Sequence, residues 1–143
     1  MRRYKIAFYV FITAIYALVT PAFAQQTAVY TQPISDFRNA ADLLAKEKYG
    51  AAMVIYERLA LTPADENEGI RSASAYYTAL CAARLFHDDA MYRMAKFTRD
   101  YPESSNLNAA NYELAKLQYN SKAYKEAIAS FNQVDVYELS AEE

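Results

Sequence analysis

His87, Asp88 and Asp89 stand in a row, with Cys81 six residues upstream. These are the types that ligate metals or supply a thiolate. Adjacent ligands on one short segment cannot converge as a metal cage requires, and neither a helical i, i+4 pair nor a second ligand segment is present. The row reads instead as a polar turn whose aspartates suit a helix N-cap. Cys81 has only His87 as a conceivable base, so a nucleophilic pair is not expected. The acidic run at 64–68 lacks the placed glycine and the twelfth-position glutamate of a calcium loop. The only glycines are Gly50 and Gly69, so a glycine-rich phosphate cradle is missing as well. These residues predict no catalytic centre, no metal site and no cofactor.

The residues with another use are tyrosines, of which there are fourteen. Contact surfaces favour tyrosine, because a large rigid ring carries a polar tip. Tyr76 and Tyr77 are neighbours and must point to different faces of a helix. Tyr112, Lys116 and Tyr119 stand at i, i+4 and i+7, one stripe of a helix. That stripe serves either packing against a neighbouring helix or, as the candidate partner-binding residues of the resemblance described below, contact with a partner.

The elements that position them are helices. Alanine is abundant, glycine nearly absent, and no β-branched alternation appears. A pattern of small residue, large residue four later and apolar residue three later occurs three times. It runs Ala52, Tyr56, Leu59; then Ala90, Met94, Phe97; then Ala127, Phe131, Val134. Tyr49 and Tyr124 precede the first and third. The alanines are 38 and 37 residues apart. A small residue admits a neighbouring backbone, and the two larger ones fill the space beside it. A second helix upstream of each stripe must cover it, giving three pairs at 35–63, 66–102 and 104–139. Pro63 and Pro102 follow helices they cannot continue, and Asp88 or Asp89, Ser121, and Ser104 or Ser105 are placed to cap the helices that follow them. Repetition at this spacing predicts an all-α solenoid of antiparallel helix pairs.

This pattern resembles the tetratricopeptide repeat at Ala40, Tyr49, Ala52, Tyr56, Leu59 and Pro63; at Ala90, Met94, Phe97 and Pro102; and at Leu114, Ala115, Tyr124, Ala127, Phe131 and Val134. The period is longer than that family's 34 or so residues. His87 stands where the other repeats have Tyr49 and Tyr124. The resemblance implies a right-handed solenoid whose first helices line a concave, peptide-binding surface. The Tyr-Pro-Glu-Ser junction at 101–104 is similar to the subset found in Gram-negative envelope proteins, including the lipoprotein of the outer-membrane β-barrel assembly machine.

The N-terminus points the same way. Arg2, Arg3 and Lys5 precede fifteen uncharged residues and an Ala22-Phe23-Ala24 exit, the three regions of a secretory signal peptide. Cleavage is expected between Ala24 and Gln25, before a loose lead-in over 25–34, and the apolar run is short for a bilayer span. Removing 1–24 takes three of the 15 basic residues and none of the 17 acids, leaving a net charge of −5. That balance disfavours nucleic acid as the partner, and the mature chain is read without a membrane span. Ser140 followed by Glu143 reads as the start of a further helix, so 140–143 is taken as a truncated repeat. The face beside Tyr124, Ile128 and Phe131 is then uncovered and a candidate for self-association. The expectation is an exported scaffold that holds a protein or peptide partner in the periplasm or at the outer-membrane periphery. Alternative roles are an outer-membrane assembly factor, or the sensor or spacer arm of a longer enzyme or signalling protein.

Overall fold

The computed structural model describes residues 32–63 and 67–137. The signal segment with Ala24 and Gln25, most of the lead-in, Leu139 and the 140–143 ending lie outside the described residues. The chain divides into two compact units, residues 1–35 and 36–143. The helices below belong to the second, apart from residues 32–35 at the start of α1.

Among the described residues the structure is all-helical. The helices are α1 (32–45), α2 (Tyr49–Ala60), α3 (Glu68–Arg84), α4 (Ala90–Asp100), α5 (Leu107–Asn120) and α6 (Tyr124–Phe131). No described helix is long and apolar enough to cross a membrane. Each helix lies against the next, and α3 also touches α5.

The turns that join α1 to α2, α3 to α4 and α5 to α6 close in the same way. Glu47, Phe86 and Lys122 each adopt a left-handed conformation, with φ of 56°, 57° and 64°. The amide of each donates to the carbonyl three residues back, on Leu44, Ala83 and Tyr119. The next amide, on Lys48, His87 or Ala123, reaches five residues back, to Leu43, Ala82 or Gln118. This double closure satisfies the carbonyls that a helix end leaves bare. It usually employs glycine, because a side chain in this region costs about 1–2 kcal/mol. Here none of the three is glycine.

The other junctions end differently. Tyr101 leaves the helical region, with φ −130° and ψ 60°. Pro102 explains this, since a residue before proline is crowded out of the α conformation. The expected side-chain caps do not form. Asp89 is the N-cap of α4, but it gives its carboxylate to Arg93 at 2.7 Å instead of a backbone amide. Asn106 and Ala123, not Ser105 and Ser121, hold the N-cap positions of α5 and α6. Ser104 Oγ does accept the Asn106 amide, at 3.3 Å.

The core has two clusters joined by α3. Ala40, Ala52, Met53, Tyr56, Cys81, Ala82 and Ala90 form the first. Four of its members are alanines from four different helices, so the backbones come close. Tyr76, Ala79, Met94, Phe97, Ala110 and Leu114 form the second. The adjacent Tyr76 and Tyr77 serve both. Tyr77 stacks on Tyr56 at 5.1 Å between ring centres, while Tyr76 meets Phe97 at 5.6 Å.

The first two stripes are wholly buried: Ala52, Tyr56 and Leu59, then Ala90, Met94 and Phe97. The third differs. Ala127 is buried and Tyr49, of the first repeat, is half-buried, but Tyr124 and Phe131 stay exposed. Val134 is not on a helix at all, because α6 stops at Phe131. The Asn108 carboxamide captures the backbone of Asp135 on both sides, accepting its amide at 2.7 Å and donating to its carbonyl at 2.8 Å. That clamp replaces the helical bonds the segment would otherwise make.

Candidate functional site

α5 buries Ala110, Leu114 and Ala115 and turns Tyr112, Lys116 and Tyr119 away from the core. Tyr112 and Lys116 are half-buried, and Tyr119 is 60% exposed. The structure brings the three together with α6. The Lys116 ammonium sits 4.9 Å from the centre of the Tyr112 ring. Tyr112 meets Phe131 edge-on at 6.1 Å, and Tyr119 meets Tyr124 edge-on at 5.5 Å. A row of aromatic side chains thus runs along the α5–α6 junction, with one cation in its middle. A cation over a ring at such a site is worth about 0.5–1 kcal/mol. That biases Lys116 towards this position without immersing its charge.

Lys116 is also tied to Glu113, one turn back, at 3.0 Å. Glu113 is a buried carboxylate, and Arg84 of α3 holds it from the other side at 3.1 Å. A buried carboxylate is costly unless paired and hydrogen-bonded, and here it has two cationic donors. The pair links two first helices, α3 and α5, across 29 residues of sequence. Arg84, Glu113 and Lys116 line a recess of about 350 Å³, with Phe86, Leu117, Asn120 and Ser121 around it. Phe86 is 91% exposed. Sequence reading missed Arg84, Phe86 and Glu113. The i, i+3 spacing of Glu113 and Lys116 was visible, but only the fold brings Arg84 to them.

The residues that looked chemical do other work. Cys81 is fully buried, and burial pushes its thiol up to about 11, so the nucleophilic thiolate is disfavoured at neutral pH. His87 closes the α3–α4 turn through its amide. Asp89 lies below its ordinary carboxylate range because Arg93 donates a hydrogen bond to it. Arg93 reaches Glu57 of α2 as well, at 2.8 Å, and so joins α2 to α4. No group of three or more His, Cys, Asp or Glu side chains gathers among the described residues. The acidic 64–68 run lies mostly outside them.

No protein-family model matches the chain, and no curated protein or solved structure is significantly similar to it.

Proposed function

We propose that the chain is a non-catalytic protein-interaction scaffold. In this reading it is exported to a Gram-negative cell envelope and built as a tetratricopeptide-like solenoid of three helix pairs. It holds a protein or peptide partner along α5, the first helix of the third pair, and the adjoining face of α6, with Tyr112, Lys116 and Tyr119 at the centre of the contact. The solenoid reading draws support from the threefold helix closure at Glu47, Phe86 and Lys122, which marks one unit of structure repeated along the chain. Stacked units of that kind offer extended surfaces that bind without chemistry.

The observation that carries the binding assignment is the aromatic row on α5 and α6. Tyr119, Tyr124, Ile128 and Phe131 are each at least 40% exposed, beside a lysine already held in position. Grouped apolar exposure of this kind marks interaction surfaces, and rigid aromatic anchors lose little entropy on binding. The test is site-specific photo-crosslinking in cells that make the protein. A photoreactive residue at position 119 should capture a defined protein. One at Arg99, on the outer side of α4 with its side chain 68% exposed, should not. Capture at 99 but not at 119 would overturn the assignment.

A further inference from the structure

Phe86 presents an anomaly that the fold does not use. It occupies the left-handed position of a helix-closing turn, where glycine is favoured, and its ring is almost fully in solvent. Neither packing nor backbone preference accounts for a phenylalanine there. Glu47 and Lys122 share that backbone conformation, so it is the exposed apolar ring that sets Phe86 apart. The ring borders the recess that Arg84, Glu113 and Lys116 line.

The charge balance of that recess is uneven. Two cations face one carboxylate, and Glu113 is only 5% exposed on its side chain. Lys116 spends one of its three N–H donors on Glu113, and Arg84 one well-placed donor and one at 3.5 Å. Three further N–H groups remain on the guanidinium and two on the ammonium. A second recess, between α2, α3 and α4, offers a contrast. Its volume is about 360 Å³, but its cations are matched: Arg93 by Glu57 and Asp89, and Lys96 by Asp100. Of these two recesses, the Phe86 recess is the one that combines surplus positive charge with an exposed aromatic wall.

We propose that this recess receives a carboxylate with a neighbouring apolar side chain from a protein partner, Arg84 and Lys116 taking the acid and Phe86 and Leu117 the apolar group. The proposal rests on the scaffold reading and extends it. The volume suits one or two side chains rather than a folded element. Glu113 sets the two cations about the site and neutralises one of them, so that a single added negative charge completes the set.

The test uses the full chain and short fluorescein-labelled peptides, read by anisotropy. The peptides carry Leu-Glu in a Gly/Ser background with both ends blocked, the same with Leu-Gln or Gly-Glu, and a Gly/Ser peptide ending in leucine with a free terminus. Saturable binding of the Leu-Glu peptide or the free-terminus peptide is expected. The stronger of the two identifies whether the acid is a side chain or a chain end. The Leu-Gln and Gly-Glu peptides should each bind about tenfold more weakly or worse. Phe86→Gly should raise the denaturation midpoint, by releasing the backbone, while weakening binding by a similar factor. Lys116→Gln should weaken binding without that rise. Binding of the Leu-Gln peptide as tight as that of the stronger acidic peptide overturns the proposal, as does unchanged binding by Phe86→Gly, a lowered midpoint in that variant, or no saturable binding at all. The two readings fail separately. If the crosslink from position 119 persists while the peptides do not bind, this site is wrong and the scaffold reading stands. If no partner is captured, the scaffold reading itself falls.

Discussion

Replacing Tyr56 by phenylalanine should stabilise the protein. Tyr56 is 0% exposed, and its ring stacks on Tyr77 and meets Phe37 edge-on at 5.5 Å. Its hydroxyl has no hydrogen-bond partner among the described residues. Burial, with Tyr77 and Cys81 close by, pushes the phenol well above its ordinary 10.0, as expected of a group that must stay neutral. A buried polar group left unpaired costs about 1–3 kcal/mol. Phenylalanine keeps every ring contact and removes that cost. The space vacated by one oxygen gives back a few tenths of a kcal/mol at about 24 cal/mol per Å³ of residual cavity. The net expectation is a gain of about 1 kcal/mol. For a domain near 100 residues that raises Tm by about 4 °C or more. Urea melts followed by far-ultraviolet circular dichroism, with a calorimetric scan, measure it. A loss of 1 kcal/mol or more would refute the reasoning, because the hydroxyl must then have a partner that stabilises the fold. Ser74→Ala tests the same logic at a second fully buried hydroxyl without a partner among the described residues, and should be neutral or mildly stabilising.

Glycine at either of two exposed left-handed positions, Glu47→Gly or Lys122→Gly, should raise stability by about 0.5–1 kcal/mol, since the strain relieved exceeds the entropy added to the unfolded chain; denaturant midpoints decide it. Ala90→Leu should cost about 1–3 kcal/mol by forcing apart the alanine-lined contact of the first cluster, and an unchanged midpoint would mean that the site is not closely packed. Cys81 should resist thiol reagents at pH 8 in the folded protein and react on denaturation. Its folded value is raised from 9.0 to about 11, so its contribution to stability is complete below pH 9 and is lost as the pH climbs towards 11. Fast labelling of native protein at pH 8 would contradict this. Asp89 and Asp100 are both depressed, by hydrogen bonds from Arg93 and Lys96. Their contribution is therefore present above pH 4 and lost on further acidification, and urea midpoints measured across that range should vary less with pH in a double asparagine variant.

The helical class was legible in alanine content and in the i, i+4, i+7 stripes. The buried triplets starting at Ala52 and Ala90 sit where spacing put them. The third triplet broke down for a physical reason. Helical spacing continues to Val134, but Asn108, 27 residues upstream of Asp135, takes the backbone and ends the helix early. Local periodicity carries no trace of such a clamp. The capping assignments failed similarly, because Asp89 found an arginine one turn along its own helix and preferred it to an amide. The three turn closures escaped notice since glycine, their usual mark, is missing from all of them. At the candidate site, Tyr112, Lys116 and Tyr119 were readable as a stripe. The Arg84–Glu113 pair and the exposure of Phe86 follow from how α3 and α5 meet, and no single-helix pattern encodes that.

The most direct test of the scaffold account is hydrogen exchange on the full chain, alone and with the protein captured by crosslinking. The account predicts slowed exchange along α5 from Tyr112 to Tyr119 and at the turn carrying Phe86, with the outer side of α4 around Arg99 unchanged. Protection confined to α2 and α4, or no protection anywhere on α5, would contradict it.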